Sequence, residues 1–303
     1  MISILILGSG SATPKVNRNP AGILVNSNNS YFLVDCGEGT QLQLRRYKQS
    51  LQRIHQIFIS HLHADHFLGL FGLLSTQSLL GREKALDVFA PKGLQEIIEV
   101  QMKITKTYWG FPLNFHDIDC KKEAVLWQDE EMEVHSIPLN HKIDCVGFSF
   151  RQKTKPRNIL QSKIEFYKIP VFARRAIKNG ADFTDENGRV IPNKELTTAE
   201  PRVFSFTYIS DTRVLKEVPV AVLGTDLLYH EATFLSDMIE RAKATHHCTA
   251  QQAAQFAALA EVKKLVLGHF SARYDELDEF IAEAKPYFAN VDVAQDGQWF
   301  STE

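Results

Sequence analysis

The sequence predicts a mixed α/β sandwich with its chemistry at strand ends, and three observations carry that expectation. Short apolar runs rich in β-branched residues recur along the 303 residues and alternate with helix-like segments. Side chains suited to binding metal fall where such runs stop. No Pro/Gly/Ser-rich linker, repeat or low-complexity tract divides the chain, so a single domain spanning 1–303, with insertions, is expected.

Composition is that of an ordinary soluble protein, 44% hydrophobic and 23% charged. Residues 2–7 are apolar but too short for a signal peptide's core, with no basic residue before them. No run reaches membrane-spanning length. The expectation is a cytoplasmic chain with no membrane partner. Cys36, Cys120, Cys145 and Cys248 are scattered without C-x-x-C spacing, which argues against a disulfide framework or a thiolate zinc site. A net charge of -2 gives no general attraction to nucleic acid. Residues 151–178, however, hold nine basic side chains (Arg151, Lys153, Lys155, Arg157, Lys163, Lys168, Arg174, Arg175, Lys178) against Glu165, a local +8 that leaves -10 elsewhere. An excess of that size either attracts a polyanion or is the solvated basic face of an amphipathic helix.

In chain order, residues 2–7 read as a buried strand ending in Gly8-Ser9-Gly10-Ser11, which does not match a dinucleotide fingerprint. Strands follow at 22–26 and 31–35 around a turn at 26–30. Asp35 ends the second, and is read either as orienting a metal-bound histidine or as capping the next helix. Gly37 and Gly39 permit a tight turn into a helix reaching about Lys48. A strand at 54–59 leads to His61-Leu62-His63-Ala64-Asp65-His66, four metal-type side chains in six residues. On a period of two, His61, His63 and Asp65 would share one side and His66 would be offset. Four donors converging from two directions suit two ions better than one. A helix then runs to about Leu80. Strand 86–89 meets Pro91, a good first helical residue, opening a helix to about Thr105. Short strands are expected at 113–118, 123–127, 132–137 and 146–151, with His141 closing one. The basic stretch that follows is partly helical but interrupted by Pro170, and turns at 179–180 and 186–189 make 155–200 an insertion off the body. Further strands are expected at 203–209, 220–223 and 263–267, with an apolar run at 227–229. They end at or near Asp211, His230-Glu231 and His269. Helices are expected at 235–244, 250–260 with Thr249 as N-cap, and 275–285 with an acidic first turn.

His61, His63, Asp65, His66, His141, Asp211 and His269 together make a two-metal site of good chemistry. Imidazole and carboxylate suit zinc, and Asp211 is the best-placed bridge. Two ions about 3.5–4 Å apart would activate a hydroxide and polarise a phosphoryl or carbonyl oxygen. His55, His116 and His135 lie in strand-like runs without partners in view and read as structural. His246 is ambiguous beside His247.

H-x-H-x-D-H with a later His, Asp and His resembles the metallo-β-lactamase fold, a four-layer αββα sandwich. Within it the chain is similar to the ribonuclease Z family of tRNA 3′-processing endonucleases. The likeness is carried by Asp35-Cys36-Gly37-Glu38-Gly39-Thr40-Gln41, Ser60-His61-Leu62-His63-Ala64-Asp65-His66, Ala90-Pro91-Lys92-Gly93, Ser210-Asp211-Thr212, His230-Glu231-Ala232-Thr233, His247-Cys248-Thr249-Ala250 and Gly268-His269-Phe270-Ser271-Ala272-Arg273-Tyr274. The resemblance implies two zinc ions per subunit. One would be held by His61, His63 and His141, the other by Asp65, His66 and His269, with Asp211 between them. It implies Glu231 and His247 as an acid-base pair, and Asp65 as a further proton acceptor for the attacking water. It also implies an RNA-binding arm at 155–200, where Lys155, Arg157, Arg174 and Arg175 would meet substrate, and a homodimer. Arg273 is read as a phosphate contact or as an ordinary surface arginine. The expected activity is zinc-dependent endonucleolytic cleavage of precursor tRNA 3′ of the discriminator nucleotide by metal-activated hydroxide. The alternative is a dizinc phosphodiesterase acting on small phosphodiesters or other RNA. The arm lacks the Gly-Pro tip found in longer arms of the family, having Ile169-Pro170-Val171-Phe172 instead.

Overall fold

Two seven-stranded sheets dominate the computed structural model, which describes residues 1–303. The chain runs β1 (Ile2–Gly8), β2 (Gly22–Ser27), β3 (Ser30–Val34), α1 (Thr40–Arg46), β4 (Ile54–Phe58), α2 (Ala64–Phe67), α3 (Leu70–Leu79), β5 (Leu86–Pro91), α4 (Leu94–Thr105) and β6 (Leu113–Ile118). It continues through β7 (Ala124–Gln128), β8 (Met132–Pro138), β9 (Val146–Gln152), α5 (Gln161–Phe166), α6 (Val171–Lys178), β10 (Phe183–Thr184), β11 (Val190–Ile191) and α7 (Asn193–Leu196). It closes with β12 (Ser205–Ile209), β13 (Leu227–Glu231), α8 (Ile239–Thr245), α9 (Ala250–Leu259), β14 (Lys264–Gly268), α10 (Asp278–Ala284), β15 (Val291–Val293) and β16 (Trp299–Ser301).

The chain divides into two units. The larger comprises residues 1–128, 133–151 and 204–303, and the smaller residues 129–132 and 152–203. In the larger, one sheet has the order β16-β1-β2-β3-β4-β5-β6 and the other β15-β14-β13-β12-β9-β8-β7. Their facing sides meet through aromatic rings, which fill a sheet-on-sheet interface at low entropic cost. Phe32 lies 5.5 Å from Phe150, and Phe58 lies 5.4 Å from Phe148, centroid to centroid. The outer face of the first sheet buries Leu5, Leu24 and Leu33 with Leu44 of α1, Leu70 and Leu73 of α3, and Leu94 and Ile98 of α4. Helices α9 and α10 pack on β13, β14 and β15 of the second. The result is the four-layer αββα sandwich.

Register explains where the chemistry gathers. β12, β13 and β14 are parallel, with Ile209 opposite His230 and His230 opposite Leu267. Their carboxyl ends therefore share an edge, and Asp211, Glu231 and His269 follow at that edge. In the other sheet β3, β4 and β5 are parallel too, ending near Asp35 and His61.

The smaller unit has its own core of Ile169, Ile177, Ile191 and Leu196, with Tyr167 and Phe183 packed against it. α5 and α6 meet at Pro170, the N-cap residue of α6. The short β10–β11 ribbon pairs Phe183 with Ile191.

Several expectations are corrected. Residues 220–223 form a turn instead of a strand. Pro219 accepts from the Val222 N–H at 2.9 Å, and Gly224 closes the turn at φ 65°. Pro91 ends β5 rather than opening the helix. α4 starts at Leu94, because Gly93 at φ 110° makes the turn that only glycine takes cheaply. The helix expected after the histidine stretch is broken at 68–69. There the Gly69 N–H donates to Cys36 O (2.9 Å), and a side chain on Gly69 would strike the Gly37 carbonyl. β15 and β16, only three residues each, are too short to show a period in the sequence.

Candidate metal centre and active-site cleft

His61 is fully buried just beyond β4, and His63 stands in extended backbone (φ -78°, ψ 148°) as the residue before α2. Asp65 and His66 lie inside α2. The chain thus changes period at Ala64. Strand-like geometry sends His61 and His63 one way, and helical geometry sends Asp65 and His66 another. The expected period-two grouping of Asp65 with His61 and His63 is corrected for this reason.

Two donor sets result. His61, His63, His141 and Asp211 offer atoms all within 4.8 Å of one another, as do Asp65, His66 and His269. His141 is not at a strand end, as expected, but in the loop between β8 and β9. The Asn140 N–H donates to Thr212 Oγ1 at 3.0 Å and holds that loop. Asp211 reaches both sets. Its Oδ2 lies 3.5 Å from His61 Nε2 and 3.8 Å from His141 Nε2, and its Oδ1 lies 3.1 Å from His269 Nε2 and 3.6 Å from His66 Nε2.

The outer nitrogens of the rings are occupied by protein. His61 Nδ1 meets Ser60 Oγ (3.0 Å), His66 Nδ1 meets Asp35 (2.7 Å), His141 Nδ1 meets the His246 carbonyl (3.1 Å), and His269 Nδ1 meets Thr233 Oγ1 (3.0 Å). Each ring is thereby turned so that Nε2 faces inward, as metal-ligating histidines are oriented. The inward atoms crowd together, with His61 Nε2 3.0 Å from His63 Nδ1 and His66 Nε2 3.3 Å from His269 Nε2. Asp211 Oδ1, though buried and close to His269, makes no hydrogen bond. Acceptors facing acceptors around a shared point are what a cation site looks like, so the donor set fits metal ions.

Electrostatics agree. Burial lowers the pKa of His61, of His63 and of His141, the last to about 4, so these rings are neutral and able to ligate. Burial also opposes charge on His66, but Asp65, Asp35 and Asp211 outweigh it and push its pKa up. The three carboxylates form a negative field where a cation would sit. Asp65 and Asp211 are both held ionised: burial disfavours their charge, and the surrounding histidines overcome it.

Asp35 resolves in favour of orienting a histidine. It is buried at φ 54° and also accepts from the Ser60 N–H (2.7 Å), Ser60 Oγ (2.9 Å) and Tyr208 Oη (2.7 Å). Sequence reasoning gave Ser60, Tyr208 and Thr233 no role. Ser60 and Thr233 were visible inside the motifs, whereas Tyr208 is an unremarked strand residue that only inter-element packing brings to Asp35.

Beside the second donor set, Glu231 is fully buried and accepts from the N–H groups of Thr212 (3.2 Å), Thr233 (2.9 Å) and Cys248 (2.9 Å). His247 Nδ1 lies 3.1 Å from Glu231 Oε1 and 3.1 Å from Thr233 Oγ1. Burial opposes charge on His247, but Glu231 and Asp211 raise its pKa to about 9. His247 also lies within ligand range of Asp211 and His269.

A cleft of about 790 Å³ opens over these groups, lined by His63, Asp65, His141, His247 and His269, with Lys142, Arg241 and Arg273 among its walls. Ser11–Thr13 form one side. Their loop is anchored at both ends by Asp296, which accepts from the Ser9 N–H (3.0 Å) and the Asn19 N–H (2.8 Å). Arg273 thus sits at the cleft. Of the arm residues singled out, Lys155 pairs with Glu131 at 2.7 Å and Arg157 with Glu200 at 3.2 Å. Arg174 donates to the Ile169 carbonyl, and Arg175 is exposed. His116 bonds Asp87 at 2.9 Å, and His246, at φ 63°, ends α8.

Residues 2–154 match the family model described as Anti-Pycsar protein Apyc1. Over nearly the whole chain, the sequence is 43% identical to Ribonuclease Z of Bacteroides thetaiotaomicron across 291 residues, covering 96% of this chain and 92% of that protein. It is 42% identical to Ribonuclease Z of Cytophaga hutchinsonii across 298 residues, covering 98% and 95%. Among solved structures, the human tRNase Z short form aligns with a TM-score of 0.71 at 26% identity, covering 99% of each chain. A long form RNase Z from yeast aligns with a TM-score of 0.67 at 20% identity over 99% of this chain and 42% of that one, a likeness of fold. No helix is long and apolar enough to cross a membrane.

Proposed function

The chain belongs to the ribonuclease Z family and carries the Apyc1 family's pattern in its N-terminal half, and from that membership we propose how its residues cleave the 3′ trailer from tRNA precursors. The observation that carries the proposal is the pairing of a two-lobed His/Asp donor set with a buried Glu231 that holds the partly exposed His247 at the wall of one cleft.

His61, His63 and His141 would hold one zinc ion and Asp65, His66 and His269 the other, with Asp211 placed within reach of both donor sets. Bound zinc lowers the pKa of water to about 7 and polarises a phosphoryl oxygen. Asp65 lines the cleft beside His66 and His269, and its carboxylate would accept the proton of the attacking water. Glu231 fixes the ring of His247 through Nδ1, which leaves Nε2 to carry a proton towards the departing 3′ oxygen. Because Glu231 is itself held by three backbone N–H groups, it stays charged and keeps the imidazolium favourable. Arg273, in the cleft wall, is a phosphate contact. The products would be a tRNA with a 3′ hydroxyl and a trailer with a 5′ phosphate.

Residues 155–200 would serve as an arm that holds RNA, within a homodimer and in the cytoplasm. Its basic excess supports this, since phosphate contacts supply much of the affinity for RNA. The same cleft is open enough to admit small phosphodiesters, and a second activity on them is compatible with the same residues. The deciding experiment is incubation of purified protein and zinc with a 3′-extended tRNA, mapping the cut to the nucleotide. A cut just 3′ of the discriminator is expected. Cuts scattered elsewhere would leave only a general phosphodiesterase.

A further inference from the structure

The unit spanning 152–203 closes its own core, yet leaves three large apolar side chains at least three-quarters exposed. Phe166 is 76% exposed, Val171 75% and Phe172 87%. All three sit at one corner, where α5 ends at Phe166 and α6 begins at Val171. The corner is braced. The Ile169 N–H donates to Ile164 O (3.0 Å), Lys168 turns at φ 51° with its N–H on Glu165 O (3.3 Å), and the Arg174 guanidinium bonds Ile169 O at 3.3 Å. Tyr167 turns inward to the core while Phe166 turns outward, their rings edge-on at 4.9 Å. Stability of the core therefore does not call for Phe166 or Phe172.

The surroundings of the corner are cationic. Lys168 and Arg175 are exposed beside it, and Phe172 and Arg175 lie three residues apart on α6, on one face. Glu165 is engaged by Gln161 at 2.8 Å. Exposed rings interleaved with cations are the surface that nucleic acids fit. Every base presents a π-face to an aromatic ring while phosphates run over the charges. Structured RNA offers such base faces at loops and at the ends of stacks. A second copy of this chain would bring two strongly basic segments together, which charge disfavours.

We propose that the α5–α6 corner is a stacking platform on which Phe166 and Phe172 meet nucleobases of the bound RNA, so that the arm grips by base faces as well as by charge. The inference rests on the tRNA-processing role given above and adds the mode of contact.

The test uses the full-length chain with zinc, a 3′-extended tRNA, and bis(p-nitrophenyl) phosphate as a small ester. The F166S/F172S variant should raise KM for the tRNA roughly tenfold, leave kcat within about twofold, and leave hydrolysis of the small ester unchanged. Its salt dependence should match wild type, whereas R175A should flatten the salt slope by about one unit. F166W/F172W should restore the KM, because indole stacks as well as phenyl. An unchanged KM in the serine variant, with wild type cutting normally, overturns the platform and leaves the enzymatic role intact. Equal loss on the small ester overturns it too, since that substrate has no nucleobase to stack. A changed oligomeric state in the serine variant, read by sedimentation, would assign the corner to an interface between copies. Loss of flotation with phosphatidylglycerol vesicles at unchanged KM would assign it to a membrane surface. Should wild type fail to cut the tRNA at all, a mobility shift with the same RNA still judges the platform: weaker binding by the serine variant supports it, and equal binding overturns it.

Discussion

Two residues, His247 in the cleft wall and Asp35 buried behind His66, allow holding metal and moving protons to be tested separately. His247 is fixed by Glu231 and Thr233, and its Nδ1 is spoken for at 3.1 Å. His247→Ala should lower turnover by about 10²–10⁴-fold, the span of general acid catalysis, while metal content per subunit stays near that of wild type. Loss of one ion with the substitution would instead make His247 a ligand. Asp35 acts one shell out. It holds His66, Ser60 and Tyr208 together at 2.7–2.9 Å. Asp35→Asn tolerates the left-handed backbone at φ 54° but removes the charge that orients His66. Metal affinity should fall by about 10–100-fold, measured by competition with a chelating dye, with little change in secondary structure by circular dichroism.

The elements that carry the site tolerate little volume change. β13 and β14 lie side by side in parallel register, with Glu231 opposite Gly268. A Cβ on Gly268 would collide with the ring and hydroxyl of buried Tyr229. Gly268→Ala should therefore cost about 1–3 kcal/mol in overpacking, read as a lower midpoint in denaturant. It should also lower activity, because the strand end it displaces is the one that delivers His269. α9 is secured differently. Thr249 and Gln252 form a reciprocal capping box, and this helix was legible in the sequence because its cap residue and alanine-rich composition are local signals. Gly268 carried no such signal, since its constraint comes from another strand.

At the scale of the molecule, the site and the arm should be separable. Removing residues 155–200 should cripple cleavage of precursor tRNA and spare hydrolysis of a small chromogenic phosphodiester. Equal loss on both would remove the RNA role of the arm. Donor side chains from the two halves of the larger unit meet at the candidate metal centre. Asp65 and His66 come from the first half of the sequence, and Asp211 and His269 from the second. Stripping metal with a chelator should abolish activity and lower the melting temperature, because the facing carboxylates and imidazoles lose their shared partner. Zinc at about a thousandfold its dissociation constant should return roughly 4 kcal/mol of stability.

What the sequence determined by itself was local. His61-Leu62-His63-Ala64-Asp65-His66 names candidate ligands because four donors in six residues after a buried strand have few other uses. The apolar runs and caps announce most strands and helices because period and capping are properties of neighbouring residues. The family motifs extended this to Glu231 and His247. Tertiary structure decided how those ligands divide. The change from strand to helix at Ala64 splits them into two sets, and the parallel register of β12, β13 and β14 brings Asp211 and His269 to close them. It also decided that Asp35 orients His66, that Tyr208 supports it, and that Phe166 and Phe172 face outward while Tyr167 faces in. Each of these depends on which distant residues become neighbours, and packing of the whole chain supplies that information.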